Sequence, residues 1–199
     1  MPPWGAYGQL HYTVPAGWAN AFDAPTAFTL MPAADYAGPA GVHDASATHG
    51  IYLFTTPAAQ ANPADCTTQL APGVGQTPAA LAAWVASRPG IVATTPAPIT
   101  VGAYAGLMLD ISLSKSAITV CPGDSGPSMS LIMNATGLTY EWSWGIGGST
   151  AATERERLIF LDVGGRTLAI IIDDNSTPSR FSELVKQAMP VIATFQFPQ

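Results

Sequence analysis

The sequence predicts an α+β fold, a single mostly antiparallel sheet of about seven or eight strands with two main helices, and three observations lead there. Several short segments alternate apolar and polar residues with the period of a strand. A Gly164-Gly165 link joins two apolar runs and supplies the positive φ values of a tight hairpin turn. Two Thr-Pro pairs, at 77–78 and 177–178, each open an amphipathic stretch in the manner of a helix N-terminus.

In chain order, Gln9 to Val14 reads as a short strand stopped by Pro15-Ala16-Gly17-Trp18, and Ala27 to Met31 as the next strand. Gly50 to Thr55 has strand chemistry. The stretch from Pro57 to Gln76 reads as loop, because Pro63, Pro72, Gly73 and Gly75 punctuate it. Thr77 then caps a helix whose stripe is Leu81, Trp84 and Val85, ended by Arg88-Pro89-Gly90. Ile91 to Thr95 and Ile99 to Val101 are short strands. Tyr104 to Leu113 shows the cleanest alternation, with Leu107, Leu109, Ile111 and Leu113 on one face and Met108, Asp110 and Ser112 on the other. Leu138 to Ile146 repeats it, with Tyr140, Trp142 and Trp144 in one row and Glu141 opposite. The hairpin Arg157 to Asp173 is apolar on both faces, as suits the centre of a covered sheet. The last helix has the stripe Phe181, Leu184, Val185, Ala188 and Ile192. Pro190 predicts its end or a kink near Met189, and Phe195 to Phe197 closes as a short strand.

At 199 residues the chain fits one domain, 1–199, able to bury roughly 70% of its unfolded surface. Only 10% of the residues are charged and the net charge is −6, so no basic stripe is present to release counterions and nucleic acid is not an expected partner. The apolar runs fall far short of the ~20 residues that span a bilayer. Met1-Pro2-Pro3-Trp4 has neither the basic nor the apolar part of a signal peptide. Few Lys and Glu with much Ala, Thr, Pro and Gly favour a trimmed export product, hence an extracytoplasmic, secreted or envelope-associated location. Cys66 and Cys121 both sit at loop edges. A disulfide between them is expected there, worth about 4 kcal/mol in the loop-entropy account.

The segments Tyr12-Thr13-Val14-Pro15-Ala16-Gly17-Trp18, Val101-Gly102-Ala103-Tyr104-Ala105-Gly106, Leu158 to Arg166 and Met189-Pro190-Val191-Ile192 together resemble exported or membrane-tethered bacterial domains of the Mog1/PsbP-like α/β/α sandwich type. The resemblance spans most of the chain and rests on turns and core strands. It implies partner binding or assembly with other proteins in place of catalysis.

Candidate chemistry is sparse. Cys121-Pro122-Gly123-Asp124-Ser125-Gly126-Pro127 is similar to the nucleophile loop of chymotrypsin-like proteases, with Ser125 in the attacking position. One glycine follows that serine where the family has two, and His11, His43 and His49 all lack the family's histidine context. His43-Asp44 and His49 read as loop residues without a metal geometry. Asp173-Asp174-Asn175-Ser176 reads as turn and capping residues before the last helix. Asp110 and Glu141 would line one cleft as an acid/base pair if their strands are neighbours. Tyr140, Trp142 and Trp144 form either a ligand platform or core packing. The reading is therefore a binding or protein-interaction domain, with no cofactor and no metal expected. The alternatives are a small hydrolase using Ser125 or Asp110 with Glu141, and a carrier of an apolar small molecule.

Overall fold

The computed structural model describes residues 10–23, 26–36, 49–61, 69–114, 128–135, 143–147, 154–174 and 177–197. Among them the elements run β1 (Trp18–Asp23), β2 (Ala27–Pro32), α1 (Ala33–Tyr36), β3 (His49–Thr55), β4 (Pro57–Ala61), β5 (Gln69–Leu70), α2 (Pro78–Ser87), β6 (Ile91–Ala93), β7 (Ala97–Val101), β8 (Tyr104–Leu113), β9 (Ser128–Asn134), β10 (Ser143–Gly147), β11 (Arg155–Val163), β12 (Arg166–Asp174) and α3 (Pro178–Ile192).

Eight strands form one sheet in the order β1-β2-β3-β12-β11-β8-β6, with β7 also paired to β8, and every pairing is antiparallel. This is the expected α+β class. A second sheet, β10-β9-β4-β5, was not anticipated. It arises because the chain does not stop at Pro57. At Thr56 the backbone turns to φ +48, and the ribbon that was β3 of the large sheet continues as β4 of the small one. The prolines and glycines around it made residues 57–76 look like loop, although Pro57 opens a strand and Gln69–Leu70 pairs with Gln60 and Ala61.

The pleat sorts the large sheet's side chains into two cores. On the outer face, Leu30, Ile51, Leu53, Ile159, Leu161, Ile170 and Ile172 pack against Leu184, Ala188, Val191 and Ile192 of α3. On the inner face, Leu109, Ile111, Leu158, Phe160, Ala169 and Ile171 pack against Leu81, Ala82 and Val85 of α2 and against Met129, Leu131, Ile132 and Ile146 of the small sheet. A helix thus covers each face, and the small sheet completes the inner layer. Trp84 is only half-buried and lies under the Arg88 guanidinium, 4.6 Å from its ring centre.

Local signals explain the best-defined elements. Thr77 and Thr177 each accept a hydrogen bond from the N–H three residues on, at 3.2 Å, with proline at the first helical position. Gly164 and Gly165 have φ +62 and +81, and Gly165 N–H donates to Asp162, which fixes the β11–β12 register. Two expectations are corrected at the ends. The helix of α3 runs past Pro190 to Ile192, since a proline in the final turn forfeits only one bond, and Ala193 N–H still reaches Met189 O at 2.9 Å. The strands expected at 9–14 and 195–197 shrink to a single bridge between His11 and Gln196, and β1 starts at Trp18 where a turn was expected. No helix among the described residues is long and apolar enough to cross a membrane.

Candidate functional site

Strand β11 begins Arg155-Glu156-Arg157 directly after Glu154, and this alternation divides charge between the two faces of the sheet. Odd-numbered residues share the outer face with Ile159 and Leu161. Even-numbered ones share the inner face with Leu158 and Phe160.

On the outer face, Arg157 stands opposite Asp110 of β8 and binds it through two parallel bonds, Nε to Oδ1 at 2.6 Å and Nη2 to Oδ2 at 2.8 Å. The Asp110 backbone also exchanges bonds with Thr94, N–H to Thr94 Oγ1 at 2.9 Å and O from Thr94 N–H at 2.9 Å. Beside this pair a groove of about 330 Å³ opens, lined among others by Thr94, Ser112, Arg155, Pro178, Phe181 and Ser182. It is bounded by one turn of α3 and by β8 and β11. The Arg155 Nε is buried there without a hydrogen-bond partner among the described residues. One row further into the sheet, His49 and Asp174 face each other across β3 and β12 with His49 Nδ1 3.7 Å from Asp174 Oδ1. His49, expected in a loop, is thus a buried strand residue, because Gly50–Thr55 extends one residue earlier to meet Asp174.

On the inner face three carboxylates converge. Glu156 is directly opposite Asp173 in the β11–β12 ladder, and Glu154 precedes Glu156 by two residues on the same side. One oxygen from each lies within 4.8 Å of the others. All three are sequestered, with Glu154 5% exposed and Glu156 and Asp173 0%. Trp144 of β10 reaches across from the small sheet and its Nε1 donates to Glu156 Oε1 at 3.1 Å, while Gly147 N–H donates to Glu154 Oε2. Tyr52 and Phe54 of β3 flank the indole at 4.4 and 5.5 Å between ring centres.

Electrostatics follow from crowding in a dry place. Burial pushes the Glu154 carboxyl up to about 7, against the opposing pull of the Gly147 N–H. Glu156 is held well above the carboxylate range, first by burial and then by Asp173 and Glu154, with the Trp144 bond opposing. Burial raises the Tyr52 hydroxyl as well, and the three carboxylates raise it further.

Of the residues singled out in the sequence, Asp110 and Trp144 are described, on opposite faces of the large sheet. Ser125, Tyr140, Glu141, Trp142, Cys66, Cys121 and His43 lie outside the described residues. Asp173 and Asp174 are not turn residues but the buried end of β12. The sequence reading starts this strand at Arg157 and so does not bring the acidic trio together. Its signal was nonetheless present: Glu-Arg-Glu-Arg at strand period places both glutamates on one side, and counting outward from the Gly164-Gly165 turn sets Glu156 against Asp173.

No protein-family model matches the chain, and no curated protein matches it. Among solved structures it is similar to LpqN of Mycobacterium tuberculosis, described as involved in cell envelope biogenesis. The identity is 12%, the match covers 95% of this chain and 83% of LpqN, and the TM-score is 0.43. A likeness of that size carries no argument about the role of this chain.

Proposed function

We propose that the chain is a non-enzymatic, extracytoplasmic binding or protein-interaction domain, one domain over residues 1–199, that holds an anionic group of its ligand in the groove beside α3. The observation behind this is Arg155. The chain has seven Lys and Arg in all and a net charge of −6, yet two of the seven stand side by side on β11. Asp110 satisfies Arg157, whereas the Arg155 Nε is buried in the groove wall with no partner among the described residues. A carboxylate or phosphate oxygen in the groove would meet the Arg155 guanidinium that lines it, with the hydroxyls of Thr94, Ser112 and Ser182 in the same lining.

The Mog1/PsbP-like assignment belongs to the same reading and is supported by α3 on one face of the sheet and α2 on the other. A Cys66–Cys121 disulfide would accompany the extracytoplasmic location. The hydrolase alternative, on Ser125 or on Asp110 with Glu141, draws less support because the Asp110 carboxylate is committed to an arginine. The carrier alternative, with Trp142 and Trp144 as lining, draws less because the Trp144 ring is packed between Tyr52 and Phe54 and its N–H is bonded inside.

The test is calorimetric or NMR titration of the chain with inorganic phosphate and with a short poly-glutamate peptide. Replacing Arg155 by Gln is expected to weaken binding of one of them by about 10- to 100-fold, the span of a charged hydrogen bond, with the melting temperature little changed. Equal binding by Arg155→Gln and the parent chain would remove the reading.

A further inference from the structure

On the other face of the same strand, we propose that Glu154, Glu156 and Asp173 hold a hard divalent cation, calcium by preference, sealed between the two sheets. This is independent of the groove on the outer face.

Three features lead to it. The donor set is all oxygen, with no His or Cys in the group, which suits calcium, magnesium or manganese over zinc. The three oxygens stand within 4.8 Å of one another, close enough to share one ion, and the burial of all three residues favours calcium, because magnesium gives up its waters reluctantly. The remaining feature is Glu156 itself. It is wholly buried, its Oε1 is taken by the Trp144 indole, and its Oε2 is buried with no hydrogen-bond partner among the described residues. A buried carboxylate oxygen without a donor is costly, and a cation bound at the Glu156 oxygen removes that cost. No Lys or Arg forms an ion pair with Glu154 or Glu156 among the described residues.

The framework around the trio is rigid in the sense that matters for affinity. Glu156 and Asp173 stand on the two central strands of the large sheet, locked in register by the Gly164-Gly165 hairpin. The Trp144 indole N–H and the Gly147 N–H each hold one oxygen of the two glutamates from the small sheet. Cation loading would therefore tie the two sheets together at this end.

The experiment uses the whole chain, stripped with chelator, at neutral pH. Isothermal titration with calcium and with magnesium, and native mass spectrometry, are expected to show one calcium per chain, bound more tightly than magnesium. Calcium at about 100 times its Kd is expected to raise the melting temperature by roughly 5–10 °C. Glu156→Gln should weaken calcium binding at least tenfold and lose the thermal response. Glu183→Gln, which removes an equal charge from the exposed side of α3, should keep both. Glu154→Gln provides the same comparison if Glu156→Gln does not fold. Calcium that leaves the melting temperature unchanged at millimolar concentration would mean that protons alone occupy the trio, and would overturn the proposal. So would equal calcium binding by both glutamine variants, or magnesium bound as tightly as calcium.

Discussion

Replacing Gly145 by Ala is expected to lower the melting temperature by about 6–12 °C, a loss of about 3 kcal/mol in a chain of this size. Gly145 follows Trp144 on β10, where the register with β9 shifts by a residue. An added Cβ would stand 2.3 Å from Met129 O, 2.7 Å from the Cα of Ser130 and 2.9 Å from Met129 C. All three atoms are backbone, so no side-chain rotation relieves the clash, and β10 must lift from β9. That movement takes Trp144 away from Glu156 and opens the seam between the sheets. Thermal denaturation followed by circular dichroism reads the first effect, and the tryptophan emission spectrum reads the second. A loss under 2 °C would mean that β10 does not press on β9 as described.

The other large effect concerns pH in the cation-free chain. With chelator present, folding stability is expected to fall as pH rises from about 4.5 to about 7, by up to about 3 kcal/mol from Glu154 alone. The sign follows from proton counting. Burial raises the Glu154 carboxyl to about 7 in the folded chain, whereas the unfolded chain has it near 4.5. Between those values the folded chain holds more protons, so raising the pH favours unfolding, and above about 7 the contribution is flat. Glu156, raised by burial and then by Asp173 and Glu154, adds to the fall in the same direction. Urea unfolding of the parent chain and of Glu154→Gln across this window isolates the term: the difference between them should grow with pH in favour of the variant. A difference that is constant with pH would show that Glu154 does not sit in a dry site.

How much of this could be read from the residues alone depends on whether a signal is local. The Gly164-Gly165 hairpin, the Thr77 and Thr177 caps and the alternation of β8 were legible because each is decided within a few residues. The small sheet was not, since β4 and β9 lie far apart in the chain and only their pairing, with the already legible strand of β10 beside β9, assembles it. Pro57 illustrates the point. As a sequence signal it ends a strand, and in the fold it follows the Thr56 corner that carries one ribbon from sheet to sheet. Trp144 was legible as one of an aromatic row with two possible uses. Choosing between them needed Tyr52 and Phe54, brought from 90 residues earlier by the sheet order. The acidic trio falls between these cases. Each glutamate's face follows from the alternation of residues 154–157, but the depth at which that face is buried comes from the small sheet above it.

The seam between the two sheets is closed over Glu154, Glu156 and Asp173, with the Trp144 indole committed to that seam. Hydrogen exchange of the Trp144 indole N–H, followed by ¹⁵N NMR and assigned by its disappearance in Trp144→Phe, measures this directly. Strong protection, lost in Glu156→Leu, is the predicted result. An indole proton that exchanges as fast as that of a free tryptophan would mean that the seam stands open to water.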